Sequence, residues 1–537
     1  MILSCAMTVA TIAGSVREFD FVVIGAGSGG AVVARRLAER SGATVALLEA
    51  GSPYRHALDV PLLGLWLWLR SPRRFAWYRQ TEPQPGLENR RIWWPSGRMV
   101  GGSSAINAMI YVRGHPASFD RWREHGVSDW GWADMLPYFL RAEHQERGAS
   151  PAHGVGGPLH VSDSRFQYPL AQAFLEGCAE AGIPRTADFN GTQAEGAGFF
   201  QVTQRGGRRA STATTYLQRA RRPAGLTIVT GATATRIAIE RGRAVGVEYV
   251  ADGRRTIVRA RQEVIVCAGT VKSPHLLLMS GIGPPRELGS LGIPVVQDLP
   301  GVGANLRDQP RVSVVHRVSA QQVPGVRDVA VDTLRYAWSG HGMFASNVCD
   351  VGAIVRSDPA RAVPDLRIVF RWRVMPERRE PLVDFEVSLL DPDSRGRIGL
   401  LTRKVLADPS IDPRYLDRES DLERLVKGVE WARAIAATPT CWAGGIGAEV
   451  LPGRDADRGA VIRHIRTHAE SAFHPVGTCR LGADPMAVVD SRLRVHGIEA
   501  LRVTDASVMP TTVAGNSNAA VIAIAERAAD FILGDGV

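Results

Sequence analysis

A short strand that runs straight into three spaced glycines constrains this chain more than any other feature. Asp20 to Ile24 (DFVVI) is apolar and β-branched, the pattern of a parallel strand buried on both faces. Gly25-Ala26-Gly27-Ser28-Gly29-Gly30 follows at once, and Ala31 to Arg40 then reads as a helix. A second strand, Thr44 to Glu49, ends in an acid. Gly25, Gly27 and Gly30 supply a tight turn, a close approach to a pyrophosphate and a close helix–strand contact. The N–H groups of Ser28 and its neighbours open the helix toward the phosphates. Glu49 stands where an acid accepts ribose hydroxyls. The unit predicts a dinucleotide site. It does not by itself separate FAD from NAD, but its N-terminal position and the Glu-Ala-Gly after the second strand lean toward FAD.

The rest of the composition narrows the setting. At 537 residues the chain predicts at least two domains. The net charge of +10 is carried almost wholly by arginine, with lysine only at 272, 404 and 427. The arginines are scattered beside acids, so nucleic acid is not an expected partner. The six cysteines form no C-x-x-C pair and suit neither a metal nor a disulfide framework. A reducing, cytoplasmic setting follows. Residues 1–14 lack a basic leader and read as a few disordered residues, or as the result of a start ahead of Met7. Val60 to Leu69 (VPLLGLWLWL) is too short to span a bilayer. It reads as a buried or lid segment; Arg70, Arg73 and Arg74 after it keep peripheral membrane contact open.

Four further segments accompany the fingerprint. Arg98 to Asn107 is RMVGGSSAIN, Gly269 to Gly283 is GTVKSPHLLLMSGIG, and His474 to Gly482 is HPVGTCRLG, before a C-terminal VTDASVMPTTVAGNSNAAVIAIAERAAD over 503–530. Together, from about Asp20 to Ile532, they resemble the glucose-methanol-choline (GMC) oxidoreductases. The resemblance implies a mixed α/β and α+β fold. A Rossmann-like FAD-binding domain is built from discontinuous segments, and a substrate domain has an antiparallel sheet flanked by helices. The expected division is 18–310 for the FAD domain, with substrate-side and lid insertions near 56–95 and 116–204. Residues 311–470 form the substrate domain, and 471–537 return to the FAD domain.

Alcohol oxidation on a flavin moves a hydride to N5 and a proton to a base, and histidine suits the base. Pro475 fixes the backbone after His474, and the resemblance makes His474 the catalytic base. The family's second position falls on Asn516, which can hold the substrate oxygen but cannot act as base; Asn518, two residues on, competes for that place. The resemblance also assigns Arg98, Gly101, Gly102, Ser104 and Asn107 to the flavin or phosphates. Ala234 falls to the adenine side, Asp505 and Ala506 to the ribityl and pyrophosphate region, and Asn518 to the flavin edge. Ile106 stands where some members carry a histidine that bonds FAD, so FAD is expected to be non-covalent. No metal is expected.

The expected reaction is oxidation of a primary alcohol to an aldehyde, with oxygen or a quinone-type acceptor reoxidising the cofactor. Val369, Phe370, Trp372, Trp66 and Trp68 suggest an apolar or aromatic alcohol. Choline is the alternative substrate. A hydroxynitrile lyase or a photodecarboxylase on the same fold is the alternative of another class. The oligomeric state is left open.

Overall fold

The apolar run after Arg17 forms a strand, Arg17–Ile24, whose last four residues are all buried. It pairs in parallel with Val45–Glu49 on one side and with Arg254–Val266 on the other. Leu226–Thr230 and Leu501–Val503 extend the parallel part, and Arg243–Ala251 and Thr233–Glu240 add two antiparallel strands. This seven-stranded sheet therefore draws on three separate stretches of chain. The computed structural model describes residues 17–534 apart from 192–193, 219–222, 323–324 and 374–379. The reading of residues 1–14 lies outside these.

Two helices on the sheet bring the chain ends together. Ser28–Arg40 begins three residues earlier than the periodicity suggests, because Ala31 N–H already bonds Gly27 C=O at 3.0 Å. Ser517–Gly534 packs beside it, buried almost all round. The Arg36 guanidinium grips the buried Glu526 carboxylate with two bonds of 2.8 Å, and Tyr216 Oη donates to the same group. Through this contact the last helix sets its N-terminal turn against the glycine fingerprint.

A second sheet has seven antiparallel strands. Its order is Ile446–Leu451, Pro310–Val318, Leu382–Leu389, Leu366–Arg373, Val351–Val355 and Gly196–Phe199, with Glu470–Ser471 also on Pro310–Val318. Strand alternation sorts its side chains. Val312, Val314, Leu366, Ile368, Phe370, Val383, Phe385 and Val387 form a core, which the helices Pro169–Glu180 and Glu419–Ala436 cover. Arg311, Ser313, Val315, Arg367, Val369, Arg371, Asp384 and Glu386 point the other way.

The substrate-side sheet thus reaches back across residue 311, since Gly196–Phe199 is its edge strand. The 116–204 insertion is divided. Phe119, Trp122, Trp130 and Phe139 pack into the dinucleotide-side core, whereas Leu170, Phe174 and Ala197 join the other. The apolar run at 60–69 is a helix, Pro61–Arg70, of which only Pro61 and Gly64 are buried.

Candidate active site

The charged face of the second sheet looks onto the glycine fingerprint across one cavity of about 1270 Å³. That exceeds the ~300–1,000 Å³ of ordinary small-ligand pockets. Gly25, Gly27, Ser28, Glu49, Gly102, Asn107, Ala234, Asp505, Ala506 and Asn518 line it, and so do His474 and Asn516. Gly25 follows the first strand, and its φ of +97° lets the chain turn under the cavity. A side chain on Gly102 would press to 2.7 Å from Gly27 Cα, so two glycine turns meet here and leave open space above them.

Glu49 ends its strand fully enclosed. Its carboxylate accepts from Ala26 N–H at 3.0 Å and Gly51 N–H at 2.7 Å. Burial pushes its pKa up to about 7 against the pull of those two bonds. Its remaining lone pairs face the cavity and suit two ribose hydroxyl donors. The helix N-terminus at Ser28 carries no acid in its first turn and suits a pyrophosphate. The residues present therefore fit a dinucleotide such as FAD.

Four expected contact residues stand behind this wall. Gly30 has no room for a Cβ, which would lie 1.9 Å from Gly25 O. Gly101 N–H bonds Ala26 O at 2.7 Å and straps the two turns together. Ser104 Oγ donates to Gly101 O at 2.6 Å and is enclosed. The Arg98 guanidinium stacks on Trp77 at 4.5 Å and borders a smaller neighbouring recess with Gly51 and Thr230. Asp505 lines the cavity but spends its carboxylate on Gly269 N–H, Ser273 Oγ, Ser507 N–H and Ser507 Oγ, shaping the turn at Gly269.

His474 and Asn516 meet at 3.1 Å, Nε2 to Nδ2. Asn518 does not share this place. It lies in the first turn of the closing helix, and its Oδ1 accepts from Ser28 Oγ at 2.6 Å. Each member of the pair is oriented by a residue that the sequence reading missed. Gln309 Nε2 donates to Leu390 O at 2.8 Å and Gly515 O at 3.3 Å. Its Oε1 is left to accept from His474 Nδ1 at 2.7 Å. The proton therefore sits on Nδ1, and Nε2 keeps a lone pair. Arg367 Nη1 donates to Asn516 Oδ1 at 2.8 Å, which turns the amide N–H toward His474. Nothing local marks Gln309; its place just before the strand Pro310–Val318 counts only once that strand pairs with Glu470–Ser471.

Asp308 holds the backbone of His474. Its carboxylate accepts from His474 N–H at 2.9 Å and from Tyr415 Oη and Ser471 Oγ. Burial raises its pKa against those bonds. Of the remaining nearby histidines, His464 and His468 stack at 4.5 Å on the cavity rim, and His464 Nε2 bonds Ser313 O. His496 Nε2 faces Gly482 O. Phe370 turns away from the cavity, stacked on Phe174 at 5.2 Å, so the apolar pocket expected from it is absent there. Val369, Trp372, Trp66 and Trp68 do line the cavity. Among the described residues no group of acids, cysteines and histidines could hold a metal.

A neutral histidine at the foot of a dinucleotide-sized cavity is the layout of a flavin-type oxidoreductase. The sequence matches GMC oxidoreductase over residues 19–311 and again over 392–525. An alcohol dehydrogenase (acceptor) of Pseudomonas putida is 39 % identical over 529 residues, 96 % of each chain. An oxygen-dependent choline dehydrogenase of Rhizobium johnstonii is 40 % identical over 537 residues, again 96 % of each. The crystal structure of pyridoxine 4-oxidase from Mesorbium loti superposes with a TM-score of 0.86 at 32 % identity, covering 95 % of this chain and 98 % of that one. The chain belongs to the GMC oxidoreductase family and is an FAD-dependent enzyme with that family's Rossmann-like fold.

Burial, then Arg367 and Arg311, lower the His474 pKa from its usual 6.5 to about 3, against a small opposing pull from Glu386. The imidazole is therefore neutral well below pH 6.5, and only further acidification protonates it. The acid limb of the kcat/KM–pH profile is expected below pH 6. Arg367→Met removes one cause of the shift and is expected to move that limb upward; stopped-flow cofactor reduction across pH 4–9 reads both.

Proposed function

We propose that the enzyme oxidises a primary alcohol to an aldehyde, with His474 Nε2 as the base. The observation that carries this reading is the oriented pair. Gln309 leaves Nε2 with a lone pair, and Arg367 leaves Asn516 Nδ2 as a donor. A substrate oxygen entering between them accepts from Asn516 Nδ2 and gives its proton to His474 Nε2. The carbinol C–H and O–H bonds break and a C=O bond forms. Bound FAD supplies the acceptor for the hydride. Gly25, Gly27, Ser28, Glu49, Gly102, Asn107, Ala234 and Ala506 would hold FAD. Ile106, which lines the cavity, offers no nucleophile, so the attachment is non-covalent.

Choline is the second reading, favoured by the names of the relatives. The wall beside His474 speaks against it, because a quaternary ammonium would meet Arg311, Arg367 and Arg371 there. The relatives' names point to oxygen in one case and another acceptor in the other; either class can follow the same proton transfer.

A peripheral membrane contact also belongs to this reading. No helix of the described residues is long and apolar enough to cross a membrane. The helix Pro61–Arg70 lines the cavity through Leu62, Leu65 and Trp68 and exposes Leu63, Trp66 and Leu69, the last two at the cavity edge. A second helix, Val326–Ser339, exposes Val329, Val331, Leu334 and Trp338, the last 93 % exposed. Both pack against residues 343–345, and Arg70, Arg73, Arg74, Arg327 and Arg335 stand among them. Apolar side chains ringed by arginine at a cavity mouth suit an anionic phospholipid surface.

Three outcomes test these statements. In His474→Ala, anaerobic bleaching of the flavin by benzyl alcohol is expected to slow by at least a thousandfold while the purified protein keeps its yellow colour; near-normal bleaching removes His474 from the role. Acid denaturation is expected to release all the chromophore into the supernatant, and colour kept on the pellet would show a covalent bond. The holoenzyme is expected to sediment with phosphatidylglycerol vesicles and not with phosphatidylcholine vesicles, and L334D/W338D is expected to abolish the sedimentation.

A further inference from the structure

Arg367 is the cavity-wall cation next to Asn516, and among the described residues no carboxylate stands within ion-pair distance of it; Glu386 acts on it only from farther off. Arg367 is 3 % exposed. Its single hydrogen bond to protein is the one to Asn516 Oδ1, and its Nε faces no acceptor. Its neighbours on the same sheet face differ. Arg311 pairs with Glu386 at 2.6 Å and with Glu470 at 3.4 Å. Arg371 pairs with Asp384 at 3.1 Å and Glu386 at 2.8 Å, and Arg373 with Asp384 at 2.9 Å. Four guanidinium groups thus face two buried carboxylates and one exposed one. Among the described residues no carboxylate pairs with Arg367.

The register puts this excess beside the reacting atoms. Arg311 and Arg367 both stand opposite Ser388, from the strands on either side. The row ends at the return segment, where Pro310 pairs with Ser471 and the Arg311 guanidinium stacks on Phe473 at 5.0 Å. Arg367 is one hydrogen bond from Asn516, and Asn516 is one from His474 Nε2.

We propose that Arg367 is a specificity-determining residue that binds an anionic group of the substrate, so that the preferred alcohol carries a carboxylate a few bonds from its carbinol carbon. The proposal rests on the alcohol-oxidation reading and names its substrate class. Burying an unpaired charge is costly unless a partner arrives. A carboxylate meets the planar guanidinium with two parallel hydrogen bonds and takes the unused Nε–H. Merely orienting Asn516 would need one donor and no net charge, and a neutral donor would do it at less desolvation cost. The carboxylate is recognised and not consumed; the carbinol carbon alone is oxidised.

The test compares 4-(hydroxymethyl)benzoate with 4-(hydroxymethyl)benzamide on the holoenzyme, by anaerobic flavin reduction. The carboxylate is expected to have at least a tenfold higher kcat/KM. That ratio is expected to fall to about one in Arg367→Met and to survive in Arg367→Lys, which keeps the charge. A wild-type ratio of one or less, or a ratio unchanged in Arg367→Met, overturns the proposal. Titration with benzoate, followed in the flavin absorption band, gives a second readout that needs no turnover. A Kd that rises at least tenfold in Arg367→Met supports the subsite even if neither alcohol bleaches the flavin, in which case the alcohol reading alone fails. Absence of benzoate binding to the wild type, with neither alcohol active, overturns both.

Discussion

One buried carboxylate holds the working parts of this enzyme in register. Asp308 lies just before the strand Pro310–Val318, yet its oxygens serve Tyr415 from the stretch between two later strands of the sheet and Ser471 and His474 from the returning chain. Tyr415 in turn accepts from Trp94 Nε1 at 2.8 Å, which ties in the Ala76–Gln80/Trp93–Gly97 hairpin. A carboxylate so enclosed is tolerable only if its lone pairs are met. Four stretches of chain must therefore arrive together. Phe473 shows what this demands: its φ is +63°, and its N–H is taken by Ser471 Oγ at 2.8 Å. A left-handed phenylalanine costs on the order of 1–2 kcal/mol, and the network around Asp308 holds it there. The result is that His474 leaves the backbone pointing its ring at Gln309 and Asn516.

The two sheets divide the chemistry. The parallel sheet carries glycines and a buried acid at the ends of its strands, with little side-chain bulk, as a phosphate-bearing cofactor requires. The antiparallel sheet carries arginines and acids on its inner face. Alternation along a strand allows that face to be charged while the other is a hydrocarbon core. His474 sits at the seam and is kept neutral by the desolvation and the positive charge around it. A neutral imidazole with its proton fixed on Nδ1 is a competent acceptor at Nε2, whereas an imidazolium is not. The same arginines that lower the His474 pKa define the polarity of what can lie beside it.

Local patterns made much of this legible in the sequence. The strand–glycine–helix–strand–acid unit reads from the thirty consecutive residues Asp20 to Glu49, because the backbone conformation it needs is written in glycine. His474 was legible from Pro475 and its surroundings, and Asn516 from its distance to the closing helix. Phe370 misled for a simple reason. An apolar residue in a strand points to one of two faces, and only the pairing with Leu382–Leu389 and the helix Glu419–Ala436 shows that Phe370 belongs to the helix side. Gln309 and Arg367 carried no signal, since a glutamine and an arginine among 64 cations and many amides look like any others.

The sequence by itself therefore determined the glycine turn and the family and singled out His474, because each depends on residues close together along the chain or on a motif of fixed spacing. Only the tertiary structure decided what orients His474 and what borders it. Gln309 reaches His474 across 165 positions and Arg367 reaches Asn516 across 149. Contacts of that separation are set by strand register and sheet facing, which follow from burial of whole faces. The glycine fingerprint that opened the chain thus fixed where a dinucleotide lies, and the register of the second sheet fixed the charge that faces it.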